Sequence, residues 1–302
     1  MSHTIQNEHM SADRTVSEIQ KGLWMLSPIV AEKYLKTANE ILGSPKLLSD
    51  AKELQAGFVR EVIDPDGNPV NIDQEDIPHD SVGIVRCVGP MYKYGGWWHW
   101  GSDELVEMAD YFDNHPRIIG QVWQDDSGGG TVSSVPPYLE FLKRKKKPVV
   151  GLADFCGSAN YYKLCGTDHF MAENDVSAMF GSIGVMIVLY NIDKWLEELG
   201  IVEHIINAEQ SDHKNKAFQL AYNGKYDLIR QEFLNPSAIQ FQEYVKMKRP
   251  KLDTGVEGII SGKMFYAQEA MEHGMIDSIG NLEAAIDRVK FLASARSFYT
   301  VN

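Results

Sequence analysis

From residue 81 onward, the chain alternates between short apolar runs and longer amphipathic stretches. The apolar runs predict strands over residues 81–89, 117–124, 148–155, 181–190 and 202–208. The amphipathic stretches predict helices over 102–115, 133–147, 157–166 and 191–200, and residues 225–289 are predicted to be mostly helical. This alternation favours an α/β fold with a mostly parallel sheet flanked by helices.

The first 80 residues follow a different pattern and are predicted to form an N-terminal appendage to a single domain over residues 81–302. Residues 1–12 are polar and are expected to be a disordered tail. Between residues 17 and 42 the apolar positions recur mostly at helical spacing, interrupted by Pro28, so a helix is predicted there.

The composition narrows the class of protein. The 302 residues carry 29 basic and 42 acidic side chains, a formal charge of −13, which weighs against nucleic acid as the main partner. The basic run at residues 143–147 is interpreted as the solvated end of a helix that stops before Pro148.

The cysteines and the apolar runs bear on compartment and cofactors. Cys87, Cys156 and Cys165 lack metal-type spacing, so no metal site is predicted and a reducing compartment is favoured. The N-terminus has no apolar signal segment, and no apolar run is long enough to span a membrane. We therefore expect a soluble, cytoplasmic protein without membrane contact.

A glycine-rich turn follows the predicted strand 117–124 and precedes a predicted helix. Its residues Asp126 to Gly130 read Asp-Ser-Gly-Gly-Gly, and the glycines allow backbone N–H groups to face a ligand. Such a turn can be half of an oxyanion hole or a phosphate cradle, although both the P-loop and GxGxxG patterns are absent. A flexible surface loop is an equally good interpretation.

A serine marks the next junction between strand and helix. Ser158 lies where parallel sheets present ligand sites, at the carboxyl end of a strand, and the N–H of Ala159 would face a developing oxyanion. An ordinary helix N-cap is the competing interpretation.

A serine nucleophile needs a base, and several residues are candidates. His169, His204 and His213 have no distinguishing surroundings, while Lys214 and Lys216 follow the predicted strand 202–208. A lysine acts as a base only when burial favours its neutral form.

The segments, taken in order, resemble the signal peptide peptidase A-type serine peptidases, which have the ClpP/crotonase fold. QDDSGGG (124–130) resembles their Asp-Ser-Pro-Gly-Gly loop, and the segment 151–175 resembles their nucleophile segment. GSIGV (181–185) matches their motif without change, and residues 261–286 resemble their closing helix-turn-helix. The resemblance covers about residues 81–290.

The resemblance implies a serine endopeptidase with a Ser–Lys dyad and no metal or organic cofactor. The nucleophile falls on Ser158 and the general base on Lys214. The reaction implied is acyl transfer through an acyl-enzyme.

The same resemblance assigns the surrounding site. Oxyanion donors would be the N–H of Gly129 or Gly130 together with that of Ala159, and Ser182 would shape the site. An extended peptide would bind as an added strand beside the glycine-rich loop. Relatives form rings whose sites often borrow residues from a neighbour, so a homo-oligomer is expected.

Departures from the family pattern keep alternatives open. Gly128 stands where the family has proline, and Ala159 and Asn160 replace two small residues. The residues around Lys214 match poorly, which keeps Lys216 open as the base.

The segment GLWMLSPIVAEKYLKTANEIL (22–42) resembles soluble phage and prophage members that process head proteins during capsid assembly. The alternatives are an inactive structural or scaffold component of a phage head and a crotonase-type acyl-CoA enzyme.

Overall fold

The computed structural model describes residues 23–26, 59–70, 72, 76–96, 99–189, 191 and 193–300. For residues 23–26, 193–195 and 297–300 it describes the backbone only.

The described residues form twelve strands. They are β1 (Leu23–Leu26), β2 (Arg60–Ile63), β3 (Pro69–Val70), β4 (Ser81–Val88), β5 (Ile118–Ser127), β6 (Gly129–Thr131), β7 (Val149–Gly157), β8 (His169–Ala172), β9 (Met179–Gly181), β10 (Met186–Ile187), β11 (Met264–Tyr266) and β12 (Ser278–Ile279).

The α-helices of the described chain are α1 (Ser102–Asn114), α2 (Val135–Arg144), α3 (Ala159–Leu164), α4 (Asp193–Glu198), α5 (Lys216–Tyr222), α6 (Asp227–Ile229), α7 (Asn235–Lys248), α8 (Ala267–Glu272) and α9 (Leu282–Thr300). A π-helical turn, Arg230–Leu234, joins α6 to α7.

The main sheet has the strand order β11-β9-β7-β5-β4-β2-β3. Its central pairs β4–β5, β5–β7 and β7–β9 are parallel, and the outer strands β2, β3 and β11 pair antiparallel. The predicted class, an α/β fold with a mostly parallel sheet flanked by helices, is confirmed.

Strand β7 has two parallel neighbours on the same edge. Residues Val150–Ala153 pair with β8, whereas Phe155–Gly157 pair with β9. The sheet therefore divides along β7, and the last residue of that strand, Gly157, pairs with Gly181 of β9.

Both faces of the sheet are covered. Alternate residues of β7 enter different apolar clusters: Val149 and Ala153 pack on the side of Phe141, while Val150 and Leu152 pack on the side of α9. This period of two along a buried parallel strand explains why β7 reads as a nearly continuous apolar run.

A second, three-stranded sheet has the order β10-β1-β6 and is antiparallel throughout. Its central strand comes from the N-terminal segment, and the outer strands come from the glycine-rich loop and from the chain after GSIGV.

Several predicted elements differ from the observed ones. Residues 23–26 form a strand where a helix was predicted, and the rest of the predicted helix over 17–42 lies outside the described residues. The predicted strand 202–208 has no regular structure. Of the described residues after Gly181 in the predicted strand 181–190, only Met186–Ile187 is a strand. The predicted helix over 102–115 is observed as α1, with Gly101 as its N-cap.

The basic run lies at the end of a helix as predicted, but only part of it is solvated: Lys143, Arg144 and Lys146 are exposed, whereas the Lys145 side chain is 7% exposed. Helix α2 ends at Arg144, and the ammonium group of Lys147 donates to the carbonyl of Phe112 at 2.9 Å. The division of the chain at residue 80 stays a prediction; β2 and β3, which precede it, hydrogen-bond into the main sheet.

Candidate active site

Ser158 occupies a sharp turn between the end of β7 and the start of α3. Its backbone has φ 56° and ψ −117°, a conformation that favours glycine and costs a residue with a side chain about 1–3 kcal/mol. The backbone N–H of Ser158 donates to the carbonyl of Gly181 at 2.9 Å, which fixes the turn against β9. Strain of this kind at the end of a strand is typical of a residue held for function.

The hydroxyl of Ser158 does not cap the helix that follows it. No side-chain capping bond is present, and the Oγ lies 3.5 Å from the carbonyl oxygen of Gly184. The residue is 1% exposed, so the hydroxyl is shielded from bulk solvent by the single chain. These features differ from the ordinary N-cap that local sequence also allowed.

The glycine-rich loop lies directly beside this turn. A Cβ added to Gly157 would come within 3.1 Å of the carbonyl oxygen of Gly128, so loop and turn are in contact. Gly130 also needs to be glycine, because an added Cβ would lie 1.9 Å from the carbonyl oxygen of Met91. The structure therefore brings the predicted oxyanion loop and the predicted nucleophile together.

Within the loop, Gly129 has φ 103°, and its N–H donates to the hydroxyl of Ser127 at 3.1 Å. An oxyanion bound at Gly129 would compete with that hydroxyl for the same N–H group.

The GSIGV motif forms the opposite side of the turn. Gly181 has φ 141°, and an added Cβ would lie 2.2 Å from the carbonyl oxygen of Lys263. Ser182 has φ 52°, and its N–H donates to the same carbonyl at 3.2 Å. Ser182 therefore helps to hold the backbone around Ser158 through its main chain.

Asn160 is fully buried behind the nucleophile turn. Its Nδ2 donates to the carbonyl of Ser127 at 3.4 Å, which links α3 to the glycine-rich loop. Its Oδ1 is buried without a hydrogen-bond partner among the described residues.

A buried ion pair that the sequence interpretation missed lies beneath the site. Lys163 of α3 contacts Asp125 of β5, and their side chains are 2% and 1% exposed. The Lys163 ammonium group also lies 4.5 Å from the ring centroid of Tyr138. The available signals were a lysine within the apolar run YYKLC and an aspartate at the end of an apolar strand.

The contact with Asp125 argues against this lysine as the base. Burial disfavours its ammonium form, but the Asp125 carboxylate outweighs burial and raises the pKa of Lys163. A lysine held in its charged form has no free electron pair with which to accept the proton of Ser158.

The nearby thiols are equally unsuited to attack. The described cysteines are buried and free, and burial raises the pKa of Cys87 to about 11. Burial also raises the pKa of Cys156, two residues before Ser158, well above its usual value. Since the thiolate is the nucleophilic form, Ser158 has no thiol competitor in this turn.

The candidate histidines have other partners or lie on the surface. His169 Nε2 lies 2.9 Å from Ser278 Oγ, and His213 Nε2 lies 2.8 Å from Glu232 Oε1. His204 is exposed in the irregular segment before Glu209.

Neither candidate lysine contacts Ser158 within the single chain as described. Lys214 and Lys216 are exposed, and Lys216 begins α5 and lines an open cavity of about 730 Å³ with His213. Helix α5 packs through Ala217 and Ala221 against the region of Ile187 in β10. The lysine segment is therefore attached to the strand that follows the GSIGV motif.

The described residues also bear on metal binding and on membranes. No group of three or more His, Cys, Asp or Glu side chains there is arranged to hold a metal ion. Among the same residues, no helix has the length and apolarity needed to cross a bilayer.

Comparison with known proteins places these features in a family. The profile of Peptidase family S49 matches residues 140–296, just over half of the chain. A putative protease of Synechocystis sp. is 29% identical over 57% of this chain and 61% of its own length. A putative signal peptide peptidase SppA of Enterococcus faecium is 28% identical, over 63% of this chain and 59% of its own length.

The match thus spans about three fifths of the length of these two relatives. The chloroplastic serine protease SPPA of Arabidopsis thaliana is 23% identical over 68% of this chain and 32% of its own length. A mutant 1510-N membrane-bound stomatin-specific protease with a substrate peptide gives a TM-score of 0.40 at 11% identity, over 69% of this chain and 78% of that one.

The profile match includes the nucleophile turn, the GSIGV motif and the closing helices, all of which were singled out from the sequence. The chain therefore belongs to peptidase family S49.

Proposed function

We propose that the protein is a serine endopeptidase in which Ser158 is the nucleophile and Lys214 the general base. The observation that carries this proposal is the strained backbone of Ser158, φ 56°, whose buried hydroxyl does not cap the helix behind it. A residue with a side chain is held there at an energetic cost, which supports a catalytic role.

The reaction follows from the groups around the turn. Ser158 Oγ attacks a peptide carbonyl carbon as its proton passes to the neutral amine of Lys214. The C–N bond breaks when that proton is returned to the leaving amine. Water then attacks the ester on Ser158 and releases the acyl part as a carboxylate.

The developing oxyanion would be stabilised by backbone N–H groups. Ala159 is at the first position of α3, where N–H groups have no partner within the helix. The second donor would come from Gly129 or Gly130. The N–H of Gly129 donates to Ser127 Oγ and Gly130 pairs with Met25 of β1, so either residue would exchange its present partner for the oxyanion.

Assembly into an oligomer would complete the site. Leu199, Ile201, Val202, Ile205 and Ile206 are between 51% and 90% exposed in one irregular segment just before Lys214. An exposed apolar patch of this kind is typical of an interface. A neighbouring copy that covered it would also withdraw the lysine segment from solvent, which favours a neutral amine.

The substrates would be proteins or extended peptides. The likeness of residues 22–42 to soluble phage and prophage members supports head proteins as candidates. The structural-component alternative rests on the poor match around Lys214. The acyl-CoA alternative is disfavoured because it gives no role to the strained serine.

The test compares casein cleavage by wild type, Ser158→Ala, Lys214→Ala and Lys216→Ala, with Lys225→Ala as a matched exposed-lysine control. We expect Ser158→Ala and Lys214→Ala to lose cleavage while Lys216→Ala and Lys225→Ala keep it. Cleavage that survives Ser158→Ala would refute the serine mechanism, and full activity in Lys214→Ala would move the base to Lys216. If the assembled wild type cuts neither casein nor candidate head proteins, the structural role is favoured.

A further inference from the structure

The small sheet contains a strand that belongs to the N-terminal segment of the same chain. Strand β1 lies between β6 and β10, antiparallel to both. On one side Trp24, Met25 and Leu26 pair with Thr131, Gly130 and Gly129. On the other side Leu23 pairs with Ile187 and Trp24 with Met186.

The two outer strands form a slot for one extended chain. They do not pair with each other, and one inserted strand separates them by about 10 Å. The other side of β6 is already used, because Gly130 forms a bridge with Met91. Without β1, the facing edges of β6 and β10 would therefore be left to pair with another peptide.

The register brings the end of β1 to the nucleophile. Leu26 pairs with Gly129 of the proposed oxyanion loop. If the antiparallel register between β1 and β10 is extended by two residues, Leu26 lies opposite Gly184. The carbonyl oxygen of Gly184 lies 3.5 Å from Ser158 Oγ.

We propose that Leu23–Leu26 is an internal ligand of the peptide-binding slot, so that a substrate peptide binds only after this segment leaves. The proposal rests on the proposed function for the identity of the slot. Its occupant is held through backbone pairing, the means by which extended peptides add to a sheet edge. The segment therefore marks both the direction and the register of a bound peptide.

Tethering makes this occupant a strong competitor. A segment of the same chain is present at an effective concentration in the millimolar range. If it fills the slot nine-tenths of the time, the apparent Kd of a peptide in trans rises about tenfold.

The test measures peptide binding in the full-length Ser158→Ala chain, which excludes turnover. The probe is a fluorescein-labelled peptide with the sequence GLWMLSPIV, residues 22–30, followed by fluorescence anisotropy. Trp24→Pro removes the backbone donor at the centre of β1, and Trp24→Ala is the matched control that retains it. We expect the proline variant to bind the peptide about tenfold more tightly than the alanine variant; equal affinities would overturn the proposal.

A second variant protects this test against misfolding of the proline variant. Trp24→Cys with Met186→Cys places two thiols on directly opposed positions of β1 and β10. Oxidation is expected to lock the segment in place and abolish peptide binding, and reduction to restore it. Unchanged binding after complete oxidation, or failure of the pair to crosslink, would overturn the proposal. Neither result depends on whether Ser158 cleaves casein, so the two proposals fail separately.

Discussion

Lys163 and Asp125 form an ion pair beneath the nucleophile turn, with both side chains almost completely buried. Lys163 belongs to the helix that follows Ser158, and Asp125 belongs to the strand that enters the glycine-rich loop. The pair therefore connects the helix behind the proposed nucleophile to the strand that enters the proposed oxyanion loop. Its members are positioning residues, since neither contacts the Ser158 hydroxyl.

Replacing Lys163 alone is expected to be severe. Lys163→Met leaves Asp125 as an unpaired buried carboxylate, so the free energy of unfolding should fall by about 3–5 kcal/mol. Urea unfolding measures this loss. The control is Lys143→Met, which breaks an exposed pair with Glu140 and should cost about 0.5 kcal/mol or less. A cost for Lys163→Met that equals the control would show that the buried pair does not hold the two segments together.

Relieving the strain at Ser158 should stabilise the fold. Glycine adopts φ 56° without a Cβ clash. The free energy of unfolding of Ser158→Gly should therefore be about 1 kcal/mol higher than that of Ser158→Ala. Both variants lack the hydroxyl and should be inactive, which separates stability from catalysis. Thermal or urea unfolding of the pair provides the measurement. If the alanine variant is as stable as the glycine variant, the turn stores no strain.

A pH-dependent contribution is expected from Asp277. Burial alone would raise its pKa, but hydrogen bonds and charge from the Arg249 guanidinium outweigh burial and lower the pKa of Asp277. Because the folded-state pKa lies below the unfolded value of about 3.9, the contribution is present above that pH. It is lost as the pH falls from about 4 through the folded-state pKa.

The measurement is the difference in unfolding free energy between wild type and Asp277→Asn across pH 7 to pH 2.5, roughly the range in which carboxylates titrate. The difference should be constant near neutral pH and shrink below about pH 4. A difference that stays constant down to the lowest pH would contradict this assignment.

The exposed apolar residues between 199 and 206 predict that copies of the chain associate through this segment. Ile206 is 90% exposed, and a charge placed there should weaken contact between copies. Light scattering after size exclusion should show an oligomer for wild type and a smaller species for Ile206→Asp. Val176→Asp, at an apolar residue 81% exposed elsewhere on the surface, should leave the mass unchanged. A monomeric wild type would contradict the proposed assembly.

Much of the fold could be predicted because the central strands carry strong local signals. The apolar runs that form β4, β5 and β7 are buried on both faces of the sheet. Such nearly continuous apolar sequences are typical of buried parallel strands, so these elements could be predicted. The residues of β1 could not be predicted in the same way. Leu23 and Leu26 are spaced as in a helix, yet pairing with two distant strand edges decides their conformation.

The prediction for residues 202–208 was wrong for a related reason. Its apolar and polar residues suit a strand, but within the described chain no strand edge pairs with it, and Ile205 and Ile206 are left exposed. The order of motifs predicted that the glycine-rich loop, the Ser158 turn and GSIGV would lie together, and the structure brings these three segments into contact. The Lys163–Asp125 pair was missed because its partners are 38 residues apart in sequence and meet only through the packing of α3 on the sheet.

The central claim, that Ser158 forms an acyl-enzyme, is tested most directly with the p-nitrophenyl ester of an N-acetylated leucine. The assembled wild type should release a burst of nitrophenolate equal to the number of active chains, and mass spectrometry should find the acyl group on the peptide that contains Ser158. The Ser158→Ala variant should show neither signal. An equal burst in Ser158→Ala, or an acyl group on a different residue, would contradict the account.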